Sequence, residues 1–189
     1  MGTSTNHPSP NKPSWRIVNA ILGRPDVPIE RQSVEIWKAA AADRESQLER
    51  DLGDELLAQA CEVANTSTTP IEAVEVFDQS LSSAYAANLT LDIGRRALAR
   101  AVADNTGATG FASELFAEIV SYYASRDLPS FVGAPGRIAT ARESISLKRD
   151  LKSIARETAI NVAQVRVDPG EWRFYVASVL EALQNGESR

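Results

Sequence analysis

Apolar residues recur along this chain at intervals of three and four, the spacing that lines one face of an α-helix. Trp15, Val18, Ile21 and Leu22 mark a short first helix that must stop near Gly23 and Pro25, and it reads as an arm docked on the body. Pro28 and Ser33 open a long helical segment with Val34, Trp37, Ala41, Leu48, Leu52, Leu56 and Val63 in step, interrupted at Arg44 and Glu45. Thr69 and Glu72 form a capping box around Pro70, a residue suited to the first helical position, so a helix starts there. Its expected stripe is Ile71, Val74, Phe77, Leu81 and Tyr85. Thr90 is a candidate cap for the next helix, which faces Leu91, Leu98 and Val102 inward and ends in the glycine-bearing loop "NTGATG", residues 105–110. Phe111, Leu115, Ile119 and Tyr122 mark another, closed by Asp127, Leu128 and Pro129 and by the loop "PSFVGAPG". A helix then runs from about Ile138 through residue 165, with a break at Asp168-Pro169 and a last helix carrying Trp172, Val176, Val179, Leu180 and Leu183. Sustained alternation is missing, and the best strand candidate, "QVRV", is too short to outweigh its helical flanks. The pattern predicts an all-α protein of about six to eight helices, arranged as one bundle or as two packed helical halves.

Composition changes this picture in two places. The chain has 189 residues, 43 % of them hydrophobic, which is enough for a real core, and no apolar run approaches the roughly 18 residues of a membrane span. Residues 1–13 are polar with three prolines and lack the apolar centre of a secretory signal, so a disordered tail is expected there. Charge is segregated: residues 126–173 hold nine Arg or Lys and six Asp or Glu, net +3, and with a total of −5 the remainder carries −8. An acidic helical domain over 14–128, a Pro/Gly loop at 129–136 and a basic helical region over 137–185 follow from that division. Within the acidic part, "DRESQLERDLGDE" places eight charges in thirteen residues, as a solvated helix face does. The single cysteine, Cys61, fits a packed thiol in a reducing, cytoplasmic setting.

The residues that usually carry catalysis are scarce. The one histidine, His7, lies in the tail, which leaves Cys61 without a base and closes the helical-bundle metal motifs built on Glu-x-x-His. Glu72, Glu75 and Asp78 share a face at i, i+3 and i+6, but the second carboxylate motif of all-helical nucleotide pyrophosphatases has no counterpart at a suitable distance. A solvated acidic helix start explains them, and neither a metal nor a cofactor is expected. "GAPGR", residues 133–137, has the Gly-x-x-Gly form with which KH domains clamp a nucleic-acid backbone, yet the sheet of that fold is missing, so it reads as a turn. By elimination, the sequence points to a non-enzymatic interaction or adaptor protein with a protein partner or a second copy of itself, as a homodimer.

A different function is suggested by "SIARETAINVAQV", residues 153–165. Ile154, Ala155 and Arg156, followed by Asn161, Val162, Ala163, Gln164 and Val165, resemble the helix-turn-helix of bacterial repressors. The resemblance implies a turn near Ala159, Asn161 as the cap of a second helix, and a DNA-reading element over residues 146–168. Gln164 and Arg166 would then meet base edges, and Lys148, Arg149, Lys152 and Arg156 phosphates. The same stretch, apolar with small residues at helix crossings, equally describes one continuous helix packed on a core.

Overall fold

A computed structural model describes residues 13–51, 54–80, 89–165 and 171–186. Among them eight α-helices form the fold: α1 Pro13–Ile21, α2 Ile29–Asp51, α3 Asp54–Thr66, α4 Pro70–Ser80, α5 Leu89–Ala103, α6 Gly107–Asp127, α7 Ala141–Val165 and α8 Trp172–Asn185. A single 3-10 turn, Leu128–Phe131, follows α6, and no strand occurs among the described residues. None of these helices is long and apolar enough to cross a membrane. The expected disordered tail and the Asp168-Pro169 break lie outside the described residues, apart from Pro13, which opens α1.

The centre of the fold is α6, because apart from Glu114, Glu118 and its last two residues it carries only apolar, aromatic or small side chains, the pattern of a helix enclosed on most sides. Phe111, Ala112, Leu115, Phe116, Ile119, Val120 and Tyr123 are all buried. Helices α5 and α7 flank it, and α2 and α3 pack on its remaining sides. Close approach of α7 is allowed by small residues on its inner face, where Ala155, Thr158 and Ala159 lie between Leu151 and Val162, all buried. Trp37 of α2 stacks on Phe116 with ring centroids 4.3 Å apart and meets Trp172 of α8 edge-on at 6.2 Å. The acidic and basic stretches of the chain therefore contribute to one contiguous core.

The first helix is docked as expected. Trp15, Val18 and Leu22 are buried, and the Arg126 guanidinium lies 4.1 Å above the Trp15 ring while bonding both oxygens of Asp127. Arg137 donates to the carbonyls of Leu22 at 2.7 Å and Asn19 at 2.6 Å, satisfying the open C-terminal end of α1 from 115 residues away. Here the "GAPGR" stretch is a turn: Gly133 and Gly136 have φ of +81° and +71°, and the Gly133 amide donates to the Ile138 carbonyl.

Three local expectations are corrected. The long segment after Pro28 is two helices, α2 and α3. The loop before α6 is shorter than expected, since Gly107–Gly110 form the helix's first turn. That start is set by a tertiary contact: Asn65 Oδ1, at the end of α3, accepts from the Ala108 amide at 2.8 Å. At Gly107, with φ of +58°, a Cβ would come within 2.5 Å of that oxygen. Finally, Ile71 is not in the core of α4 but 74 % exposed; Ala73 and Phe77, one turn apart, anchor that helix. Leu81 and Tyr85 lie outside the described residues.

Tyr175 of α8 links three helices through one buried hydroxyl, which donates to the Ala159 carbonyl of α7 at 3.1 Å and lies 3.3 Å from Ser113 Oγ of α6. Burial holds its phenol well above the usual value near 10, with the Ser113 bond acting in the opposite direction. The folded state therefore keeps the proton more tightly than the unfolded chain, so this contribution to stability is complete below about pH 10 and is lost as pH rises beyond it. Tyr175→Phe should cost about 1 kcal/mol at neutral pH and should flatten the alkaline decline. Urea midpoints of both proteins at pH 8 and pH 11 measure this; parallel declines would show that Tyr175 is not the titrating group.

Candidate functional site

Glu114 and Glu118 stand one turn apart on α6, and cations of α5 and α7 reach toward them. Glu114 is the anomaly, a carboxylate only 2 % exposed in a helix whose other buried residues are apolar, aromatic or small. An isolated charge there would be strongly disfavoured, so its surroundings must supply the opposite sign. They do so from both flanking helices. Arg100 Nη1 of α5 donates to Glu114 Oε1 at 3.0 Å, and Lys152 Nζ of α7 donates to the same oxygen at 2.7 Å and to Glu118 Oε1 at 2.6 Å. Arg156 Nε, one turn beyond Lys152, stands 3.1 Å from Glu114 Oε2, close enough for charge but out of line for a hydrogen bond.

With three cations crowding it, Glu114 is neither open to a metal ion nor placed as a general base; it fastens α5 and α7 to α6. Among the described residues, no three of His, Cys, Asp and Glu converge as a metal-ligand set. The acidic face of α4 is also engaged in the fold. Glu72 Oε2 accepts from the amide and hydroxyl of Thr68 at 3.1 and 3.0 Å, which holds its carboxyl below the ordinary range. The Glu72 amide in turn donates to Thr69 Oγ1, so the capping box is present, and Asp78 pairs with Arg95 at 2.7 Å. A cleft of about 670 Å³ opens between the start of α2 and the end of α8, but Glu30, Arg31 and Glu35 on its α2 wall mix both signs of charge, so it selects no ligand class.

The turn implied by the repressor resemblance does not form. Helix α7 runs unbroken from Ala141 to Val165, and Ala159 is fully buried in mid-helix. A left-handed backbone would cost alanine about 1 kcal/mol, whereas in a helix its small side chain lets α7 lie against the core. Asn161 is consequently an exposed residue within a helix and caps nothing. The seven residues picked out with that resemblance fall into different settings. Lys152 and Arg156 are bound inward to the glutamates of α6; Lys148, Arg149, Asn161 and Gln164 are exposed; Arg166 lies outside the described residues.

Two features were missed by pattern reading. One is Glu114 as the hub of three helices, for which the available signal was the pair of acids, Glu114 and Glu118, inside the otherwise apolar or small run from Phe111 to Val120. The other is Ile145, 69 % exposed on α7, with Arg142, Lys148 and Arg149 exposed around it. Among the described residues, Phe174 of α8, 70 % exposed, and Ile71 are the other large apolar side chains of comparable exposure. Compared with known proteins, the chain matches no family model, no curated protein and no solved structure.

Proposed function

We propose that this protein is a non-enzymatic interaction or adaptor protein that docks a partner on the outer face of α7. One observation supports this reading above the others: Ile145 stands in solvent at the centre of a basic patch formed by Arg142, Lys148 and Arg149. Covering one isoleucine contributes about 1.5–3 kcal/mol, and a ring of like charge steers and orients a partner of the opposite sign. The surface thus suits a segment that presents an apolar side chain flanked by acidic ones. The cations on the inner side of the same helix are engaged by Glu114 and Glu118, which keeps α7 rigid beneath its outer face.

Ile145→Glu should leave the helical circular dichroism and the melting temperature nearly unchanged, because the side chain is exposed, and should abolish capture of a specific protein from a host extract. Retention of the same captured protein by Ile145→Glu would refute the α7 reading. Duplex DNA would meet this face through Arg142, Lys148 and Arg149, so an electrophoretic shift that survives Ile145→Glu but fails in Lys148→Ala/Arg149→Ala would favour nucleic acid instead.

A further inference from the structure

We propose that the partner of the α7 face is the α4 face of a second copy of this chain, joined head to tail. This rests on the reading of α7 as a docking surface and adds the identity of its occupant. The two helices carry complementary faces. On α4, Ile71 is 74 % exposed, with Glu75 and Asp78, four and seven residues on, along the same side of the helix and Glu72 at its edge. On α7, Ile145 is 69 % exposed, among Arg142, Lys148 and Arg149. Of these charges Glu75 on α4 and Arg142 and Lys148 on α7 are unpaired among the described residues, whereas Glu72 holds Thr68, Asp78 pairs with Arg95 and Arg149 lies 3.6 Å from Asp150, and each set lies beside an exposed isoleucine. The dimensions agree as well, since Arg142 to Arg149 and Ile71 to Asp78 each span seven residues, about 10 Å of helix.

Within one molecule these faces lie on different parts of the fold, α4 packing on α3 and α5, and α7 on α6, α8 and α2. The contact is therefore heterologous and leaves one α4 face and one α7 face free at the ends of every pair. Open-ended chains, not a closed symmetric dimer, are the expected product. Two single-helix faces bury well under the roughly 800 Å² per partner of a standard stable interface, so association is weak, with Kd on the order of 10⁻⁴ M.

Sedimentation equilibrium of the full chain tests this with two exposed double variants, Arg142→Glu/Lys148→Glu on α7 and Ile71→Lys/Glu75→Lys on α4. Among the described residues none of these four side chains takes part in a hydrogen bond or ion pair, so melting temperatures should stay within a degree or two of wild type. The wild-type average mass should climb from one chain mass past two as concentration rises through about 10⁻⁴ M, and should fall back near 0.5 M salt, where screening shortens to a few Å. Each variant alone should remain monomeric. An equimolar mixture should associate again, since one variant keeps a working α4 face, the other a working α7 face, and the two reversed faces carry opposite charges; a mixture that stays monomeric overturns the pairing of α4 with α7. A monomeric wild type at low salt overturns the proposal, and so does an α4 variant that still dimerises alone, which would mean α7 pairing with α7. A monomeric wild type whose extract partner is lost in Ile145→Glu would overturn self-association while leaving the docking face standing.

Discussion

Lys152→Met combined with Arg156→Met should destabilise the protein by about 3 kcal/mol, the lower end of the cost of stripping partners from a buried charge. Glu114 would be left at 2 % exposure with only Arg100 beside it. Glu114→Met should cost less. The cations that it abandons are partly exposed, with 52 %, 23 % and 37 % of the Arg100, Lys152 and Arg156 side chains in solvent, and they can turn to water. The order of the two effects separates a buried charge that must be matched from a salt bridge that contributes net stability. Urea unfolding at pH 7 measures it, and a Glu114→Met loss larger than that of the double variant would mean that attraction outweighs desolvation at this site.

Trp37→Ala should cost about 4 kcal/mol, in the range for emptying a large aromatic site that cannot collapse. The ring is 5 % exposed and stacked on Phe116, so its removal opens a void against both α6 and the Trp172 edge of α8. Phe174→Ala is the control. That ring is of similar chemistry but 70 % exposed on α8, and its loss should change stability by no more than about 0.5 kcal/mol. Equal losses in the two variants would place the structural weight of α8 on its outer side and would contradict the packing described.

The candidate site was less legible than the fold, for reasons that differ residue by residue. Lys152 and Arg156 are four apart and so share a helix face, which sequence shows, but whether that face meets phosphate or protein depends on what α6 presents across the groove. Glu114 and Glu118 answer that question from 38 and 34 residues away. Ala159 was compatible with a turn or with a helix, and the choice fell to the helix because a small residue there lets α7 approach the core. Ile71 sat in a periodic position and read as core; its exposure, like that of Ile145, follows from how far neighbouring helices extend, a quantity no periodicity contains.

What the sequence determined by itself was local: the helical period of the described segments, the Thr69–Glu72 capping box, the stop at Gly23 and Pro25, and the helix from the neighbourhood of Ile138 to residue 165. Each rests on interactions within a few residues, namely backbone hydrogen bonding, side chains three or four apart, and the dihedral limits of proline and glycine. The tertiary structure alone decided that α6 is the central helix, that Asn65 sets its first turn, that Arg137 closes α1, and that Glu114 gathers cations from two neighbours. These are contacts between residues tens of positions apart, and the need they answer is local while its answer is not: a buried amide, carbonyl or carboxylate must be satisfied, and only the packing of helices determines which distant side chain is there to do it.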